Sequence, residues 1–219
     1  MRDKFNKIKD YYHRFVTNKH YSKYNVYNAK DREYESDSTF QFIILQIKQI
    51  ISLYPDEFNT ICEIGSGDGR FLKYISNQID NFKLVGSDIP NPRIEEAKVK
   101  IPDIKFYSLD ILEIQKKQQN DGVIFVAANV FGNITPTDLN VFFEKLNVNR
   151  VAVIFCSATS KTMGKYSKKR DGIGFDHNYE ELFNKNDVRV IKKIISPRED
   201  NGERIIFKAT FLTRSIIKS

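Results

Sequence analysis

Three alternate glycines follow a short apolar segment near residue 60 of the chain. Gly65, Gly67 and Gly69 come directly after residues 60–64, which read as a buried strand, and an apolar helical pattern follows them. In α/β proteins the turn between a strand and the next helix is where ligands bind. Glycines there permit unusual backbone angles and let a ligand lie against the main chain. An ordinary tight turn is the alternative interpretation.

The spacing of these glycines does not match a dinucleotide site. The dinucleotide fingerprint G-x-G-x-x-G would place a third glycine where this chain has Arg70. Glu63 lies just before the turn and would repel a pyrophosphate. We therefore expect a ligand that carries positive charge and no diphosphate. S-adenosylmethionine, with its ammonium and sulfonium groups, has this chemistry.

Two later acids support a nucleoside site. Asp88 ends the second predicted strand, and Asp110 follows the third. A carboxylate at the first position can accept hydrogen bonds from both ribose hydroxyls, and one at the second can reach an adenine amino group. Each Asp alone is more typical of a helix cap or a turn. Together, at successive strand ends after the glycine turn, they favour nucleoside binding.

Four segments resemble the successive motifs of class I S-adenosylmethionine-dependent methyltransferases. They are residues 61–69, 84–88, 106–110 and 121–125. The first motif is fairly specific, whereas the others are individually weak and gain weight from their order and spacing. The resemblance extends from about residue 59 to the end of the chain and implies a methyltransferase fold and activity.

The resemblance also implies roles for individual residues. Glu63, Gly65 and Gly67 would line the methionine part of S-adenosylmethionine, Asp88 the ribose and Asp110 the adenine end. The remaining residues of the predicted cofactor site neighbour these or end the fourth strand: Ser66, Ile89, Ile111 and Asn129.

The end of the fourth strand faces the methyl group in this family. Enzymes of the family that methylate exocyclic amines of nucleic-acid bases carry Asn or Asp there, followed by two prolines and an aromatic residue. This chain has Asn129 and Phe131 without the prolines, which weakens that interpretation. Phe131 is predicted to contact the substrate, and a turn-forming role is the alternative for Asn129.

Histidines and tyrosines supply the remaining candidates for the acceptor side. His177 begins a predicted helix, where the helix dipole would keep its imidazole neutral and able to act as a general base. An exposed or capping residue is the alternative. In the Tyr-rich extension, Tyr11, Tyr12 and His13 are candidate substrate contacts in a lid. That segment could equally pack on the edge of the sheet.

The chain is basic, with a formal charge of +7 and a pI near 9.2. Much of this reflects a general richness in Lys, and one cluster stands out in the loop 160–174: Lys161, Lys165, Lys168, Lys169 and Arg170. Such a loop suits an acidic or phosphorylated acceptor, such as a nucleotide-linked sugar or a glycan. It could instead contact RNA or be a solvated loop without a ligand.

The elements that position these residues alternate between strand and helix. We predict a helix over 38–54 with Ser38 as its N-cap, followed by strands at 60–64, 82–87, 104–107, 122–127 and 151–155 and helices starting at residues 69, 93, 135 and 178. Strands at 188–195 and 204–212, joined by a turn at Asn201-Gly202, make an antiparallel hairpin. The predicted fold is an α/β, doubly wound, mostly parallel seven-stranded sheet of Rossmann-like type.

Length and composition fit one domain of 219 residues with a real core. We expect an extension at 1–37 and the cofactor-binding domain at 38–219. Cys62 and Cys156 each lie in an apolar run, so we expect buried thiols and no disulfide or metal site. The chain shows no apolar run long enough for a membrane span and no apolar leader, which favours the cytoplasm. Nothing in it indicates an oligomeric state.

Three functions follow from these patterns. The first is O-methylation of a small molecule or a sugar. The second is methylation of RNA or protein, with the basic loop as a docking surface. The third is a cofactor-binding module without catalysis, against which the intact Asp88 and Asp110 argue.

Overall fold

The computed structural model describes residues 34–118, 122–146, 150–160, 168–169, 174–186, 188–197 and 204–212. Its elements, in chain order, are α1 (Ser38–Leu53), β1 (Thr60–Ile64), α2 (Arg70–Ser76), β2 (Lys83–Asp88), α3 (Pro92–Lys100), β3 (Lys105–Ser108), α4 (Ile111–Lys117), β4 (Val123–Ala128), a short 3-10 helix (Phe131–Asn133), α5 (Pro136–Leu146), β5 (Val151–Ser160), β6 (Lys168–Lys169), β7 (Phe175–Asp176), α6 (Tyr179–Lys185), β8 (Arg189–Pro197) and β9 (Arg204–Leu212).

Seven of these strands form one sheet in the order β3-β2-β1-β4-β5-β9-β8. The pairs among β1 to β5 are parallel, and β9 is antiparallel to both of its neighbours. The predicted doubly wound, mostly parallel sheet with a C-terminal hairpin is confirmed. The strand order reverses between β1 and β4, and at such a switch point a crevice opens at the carboxyl ends of the strands.

Helices cover both faces of the sheet. Side chains of α1, α2 and α3 form one core cluster with one face of the strands, and those of α4, α5 and α6 form a second on the other face. Residues of β4 alternate between the two, with Ile124 and Val126 in the first and Phe125 in the second. A strand covered on both faces must be apolar throughout, which explains the continuous apolar run in the sequence. Cys62 and Cys156 are buried free thiols, as expected.

Helix α1 begins one residue earlier than its predicted cap implies. The N-cap is Asp37, whose Oδ1 accepts a hydrogen bond from the Thr39 amide at 2.8 Å. The prediction of Ser38 as cap was wrong because both side chains suit this role and only the backbone angles distinguish them. Ser38 instead accepts hydrogen bonds from Lys208 Nζ of β9 through its carbonyl and hydroxyl oxygens, at 2.8 Å and 3.2 Å. These contacts fasten the start of α1 to the sheet.

Strand β5 and helix α4 also differ from the sequence prediction. Strand β5 continues to Ser160, past the predicted end at residue 155, because β9 pairs with it along the polar continuation. Helix α4 was not predicted, although Asp110 and Glu113 form a capping box at its start. The predicted turn at Asn201-Gly202 and the predicted lid residues Tyr11, Tyr12 and His13 lie outside the described residues.

Candidate functional site

The glycine turn lies at the switch point, between the end of β1 and the start of α2. Gly65 and Gly67 have φ angles of 74° and 52°, in the left-handed region that disfavours a side chain. The amides of Gly65 and Ser66 both donate to the Ser87 carbonyl, at 2.7 Å and 3.0 Å. The turn is therefore fastened to the end of β2, and the unusual backbone angles expected from the sequence are confirmed.

Two side chains lie close to this turn that the sequence did not single out. A Cβ atom on Gly65 would lie 2.3 Å from Val130 Cγ2, in the segment that follows β4. A Cβ atom on Gly67 would lie 3.0 Å from Nη2 of Arg93, in the first turn of α3. The small size of these glycines lets Val130 and Arg93 approach the main chain. The spacing of residues within the turn does not reveal either contact, because each contact joins segments that are far apart in the sequence.

Glu63, near the end of β1, carries a buried carboxyl group. Its side chain is 4% exposed, and its Oε2 has no hydrogen-bond partner among the described residues. Burial raises its pKa well above the usual value, and the charges of Asp88 and Asp68 raise it further. A buried polar atom without a partner is costly, so this oxygen fits a ligand group that brings an N–H donor or a positive charge.

Asp88 ends β2 beside the same turn. Its Oδ2 accepts a hydrogen bond from the Gly67 amide at 2.8 Å. Burial raises the pKa of Asp88 to about 6, although hydrogen bonds from the Gly67 and Ile89 amides work in the opposite direction. A carboxylate has lone pairs on two oxygens, so this geometry leaves capacity to accept from ligand hydroxyls. Ile89, the next residue, is partly buried.

Asp110 lies at the same edge of the sheet, but its described hydrogen bonds stabilise the fold. Its Oδ1 accepts hydrogen bonds from the amides of Leu112 and Glu113, both at 2.9 Å, and so caps α4. Ser87 Oγ donates to the Leu109 carbonyl at 2.7 Å, which holds the ends of β2 and β3 together. Ile111 packs in the core below. Asp110 and Ile111 have structural roles, and their predicted places in the cofactor site, with Asp110 at the adenine end, stay predictions.

Asn129 and Phe131, at the end of β4, differ sharply in exposure. Asn129 is exposed, with a φ of 60°, and its amide donates to the Cys156 carbonyl at 2.8 Å. Phe131 is fully buried, and its ring packs against Phe142, Phe143 and Phe155. This placement favours a packing role for Phe131 over the predicted substrate contact. Asn129 is thus an exposed polar side chain at the carboxyl end of β4.

His177 is fully buried just before α6. Its Nε2 lies 3.0 Å from the Phe131 carbonyl and 3.1 Å from the Ile134 carbonyl. Because both partners can only accept, Nε2 must carry the hydrogen. In this arrangement Nε2 does not take a proton from a substrate, and a base would have to use Nδ1. The geometry favours a positioning role for His177, which ties the segment before α6 to the 3-10 helix.

Replacing His177 by alanine is expected to lower the free energy of unfolding by about 2 kcal/mol, because the Phe131 and Ile134 carbonyls lose the donor that they share. Urea unfolding would measure the loss. The variant His177→Gln keeps an N–H donor and should recover part of the stability. A general base would give the opposite pattern: near-normal stability in both variants and a methyl-transfer rate that loses its pH dependence.

The basic loop lies mostly outside the described residues. Within it, Lys168–Lys169 forms strand β6, which pairs with β7, whereas Lys161, Lys165 and Arg170 belong to the undescribed part. In the described part of the chain, no group of three His, Cys, Asp or Glu side chains could hold a metal ion. Among the described helices, none combines the length and apolar character of a membrane span.

No family model and no curated protein matches this sequence. Solved structures do match its fold. The 1,6-didemethyltoxoflavin-N1-methyltransferase of Burkholderia thailandensis, with bound 1,6-didemethyltoxoflavin and S-adenosylhomocysteine, aligns with a TM-score of 0.56 and 10% identity over 93% of this chain and 90% of that chain. An O-methyltransferase from a trans-AT PKS multienzyme of Brevibacillus brevis, in complex with S-adenosylhomocysteine, aligns with a TM-score of 0.59 and 11% identity over 79% of this chain and 72% of that chain.

A third similar structure is a putative S-adenosylmethionine-dependent methyltransferase from Listeria monocytogenes. It has a TM-score of 0.53 and 14% identity over 76% of this chain and 97% of that chain. At these identities the likeness establishes a shared fold. The fold that the sequence motifs implied is confirmed.

Proposed function

We propose that this chain, which has the fold of S-adenosylmethionine-dependent methyltransferases, binds S-adenosylmethionine at the glycine turn and transfers its methyl group. One observation carries the proposal. At the switch point of the sheet, the buried Glu63 carboxyl has an oxygen without a partner among the described residues, next to a turn that the Asp88 carboxyl holds. This combination suits a cationic nucleoside.

The residues present fit the cofactor. Glu63 and the buried Ser66 hydroxyl, which also lacks a hydrogen-bond partner among the described residues, supply polar atoms for the amino-acid part. Asp88 has acceptor capacity for the ribose hydroxyls. The bound cofactor would supply a methyl group already activated on a sulfonium. The protein's contribution is to bind and orient that group, to align the acceptor with it and to exclude water.

For the acceptor, we propose a small molecule or a sugar that is methylated on oxygen. The missing prolines after Asn129 disfavour the chemistry of base amines. One similar structure is described as an O-methyltransferase. Another, an N1-methyltransferase, contains a bound small molecule and so supports only the small size of the acceptor. The exposed Asn129 is the described polar side chain that we expect to contact this acceptor. We further propose that the segment 1–37 covers the acceptor, since α1 begins at the carboxyl edge of the sheet.

Replacing Asp88 by alanine is expected to weaken binding of S-adenosylhomocysteine about tenfold or more, because the ribose hydroxyls lose a charged acceptor. Calorimetry on the wild type and the variant would measure the change. Asp56→Ala is the matched control, since Asp56 is exposed in the turn before β1, at the opposite edge of the sheet. Undetectable binding to the wild type, or equal affinity in the Asp88 variant, would contradict the proposed cofactor site.

The acceptor needs a separate experiment. Cofactor with a labelled methyl group should be incubated with the protein and, in parallel, with pools of hydroxylated small molecules, sugar nucleotides, RNA and protein. We expect label in a small-molecule or sugar fraction. Label confined to RNA or protein would support the second hypothesis drawn from the sequence. Tight cofactor binding without transfer to any pool would support the non-catalytic module.

A further inference from the structure

Arg93 lies over the glycine turn although nothing in the turn motif requires it. The residue is in the first turn of α3, and its Nη2 is 3.0 Å from the position that a Gly67 Cβ would take. Its positive charge acts on three acids at once and lowers the pKa of Glu63, Asp68 and Asp88 relative to what burial alone would give. Arg93 therefore contacts Asp68 and acts through its charge on Glu63 and Asp88 as well.

Asp68 contacts two arginines, Arg70 closely and Arg93 more loosely. Arg70 donates to Asp68 Oδ2 through Nε at 3.0 Å and through Nη2 at 2.8 Å. Arg93 approaches the same oxygen with Nη2 alone, at 3.4 Å, and its side chain is 37% exposed. Burial alone would raise the pKa of Asp68, but the hydrogen bond from Arg70 and the charge of Arg93 bring it below its usual value. Of the two guanidinium groups, that of Arg93 is the freer to take another anion.

The proposed cofactor brings such an anion. The amino-acid end of the cofactor carries a carboxylate beside its ammonium. The acids Glu63, Asp68 and Asp88, which line the site, would repel that carboxylate. A carboxylate enters such surroundings at low cost only if a cation pairs with it. Among the described residues at this turn, Arg70 and Arg93 are the cations that contact the acids, and Arg70 is already engaged through two nitrogens.

We propose that Arg93 binds the α-carboxylate of the cofactor and thereby determines that the site accepts an intact amino-acid end. The inference rests on the proposed function. A planar guanidinium matches a carboxylate with two parallel hydrogen bonds, which makes the pair stronger and more selective than a single-point contact. Asp68, still held by Arg70, then limits how far the Arg93 side chain can move from the turn.

The test compares two ligands that differ only in this carboxylate: S-adenosylmethionine and decarboxylated S-adenosylmethionine, which keeps the ammonium. We expect the wild type to bind the first about tenfold more tightly, as measured by calorimetry. Arg93→Met should remove that preference by weakening S-adenosylmethionine alone. Arg70→Met is the matched control, because it also removes one of the two arginines that contact Asp68. It should leave the preference between the two ligands intact.

The outcomes separate this inference from the proposed function. If the wild type binds neither ligand, the proposed cofactor site is wrong and the inference fails with it. If the wild type binds both ligands and Arg93→Met weakens them equally, or not at all, the cofactor site stands and the role of Arg93 is wrong. Thermal unfolding of each variant would identify a fold defect. The variant Arg93→Lys, which keeps the charge, should then restore part of the preference.

Discussion

Replacing Gly65 by alanine is expected to lower the free energy of unfolding by about 3 kcal/mol and to abolish cofactor binding. A left-handed φ of 74° costs a residue with a side chain about 1 kcal/mol. The new methyl group would also meet Val130 Cγ2 at 2.3 Å, and overpacking of this kind costs roughly 1–3 kcal/mol. Urea unfolding would measure the stability, and calorimetry with S-adenosylhomocysteine the binding.

The loss of binding has its own reason. The Gly65 and Ser66 amides share the Ser87 carbonyl, so a shift of the turn is transmitted to the end of β2, where Asp88 lies. The double variant Gly65→Ala with Val130→Ala separates the two causes, because it removes the two Val130 methyl groups nearest the new atom and keeps the backbone strain. It should recover part of the stability. If Gly65→Ala alone unfolds and binds like the wild type, the close packing of Val130 on the turn is not what shapes this site.

The parts of the site that sequence predicts well are those encoded within a single turn or strand end. The order of strand, glycine turn and helix placed Glu63 and Gly65, and the next apolar run placed Asp88, since parallel strands end at the same edge of a sheet. Continuous apolar runs identified the central strands, because a strand that is buried on both faces must be apolar throughout. The fold class followed from the order of these elements.

The parts that sequence missed depend on contacts between distant segments. Arg93 and Val130 reach the turn from two other elements, and no spacing within the turn reports them. The length of β5 depends on its partner β9, which pairs with polar residues up to Ser160.

Side-chain direction was equally hidden. Phe131 follows an exposed Asn129 in a segment that faces the crevice, yet its ring turns into the core, where other aromatic rings surround it. His177 lies just before a helix, as expected, but its Nε2 donates to two carbonyls of another segment. Only helix α4 had a local signal that was overlooked, the capping box of Asp110 and Glu113.

Cofactor affinity is expected to rise with pH, by about tenfold between pH 5 and pH 7 from Asp88 alone. In the cofactor-free protein burial raises the pKa of Asp88 to about 6, so near pH 5 this carboxyl is mostly protonated. Ribose hydroxyls and a nearby cation favour its ionised form, so binding releases a proton and is weaker in acid. Glu63, whose pKa burial also raises well above its usual value, should add to this dependence in the same direction.

The stability of the cofactor-free protein should change in the opposite direction. A carboxyl whose pKa is higher in the folded than in the unfolded state favours folding at low pH, and this contribution is lost as the pH rises from about 4 through about 6. The thermal shift produced by S-adenosylhomocysteine should therefore grow with pH while the melting temperature of the free protein falls.

Calorimetry in buffers of different ionisation enthalpy would count the protons released on binding, and Asp88→Asn and Glu63→Gln should each remove their own share of that release. An affinity that is flat or increases on acidification would show that neither carboxyl ionises on binding, and the buried acids would then be structural groups rather than the counterions of a cationic ligand.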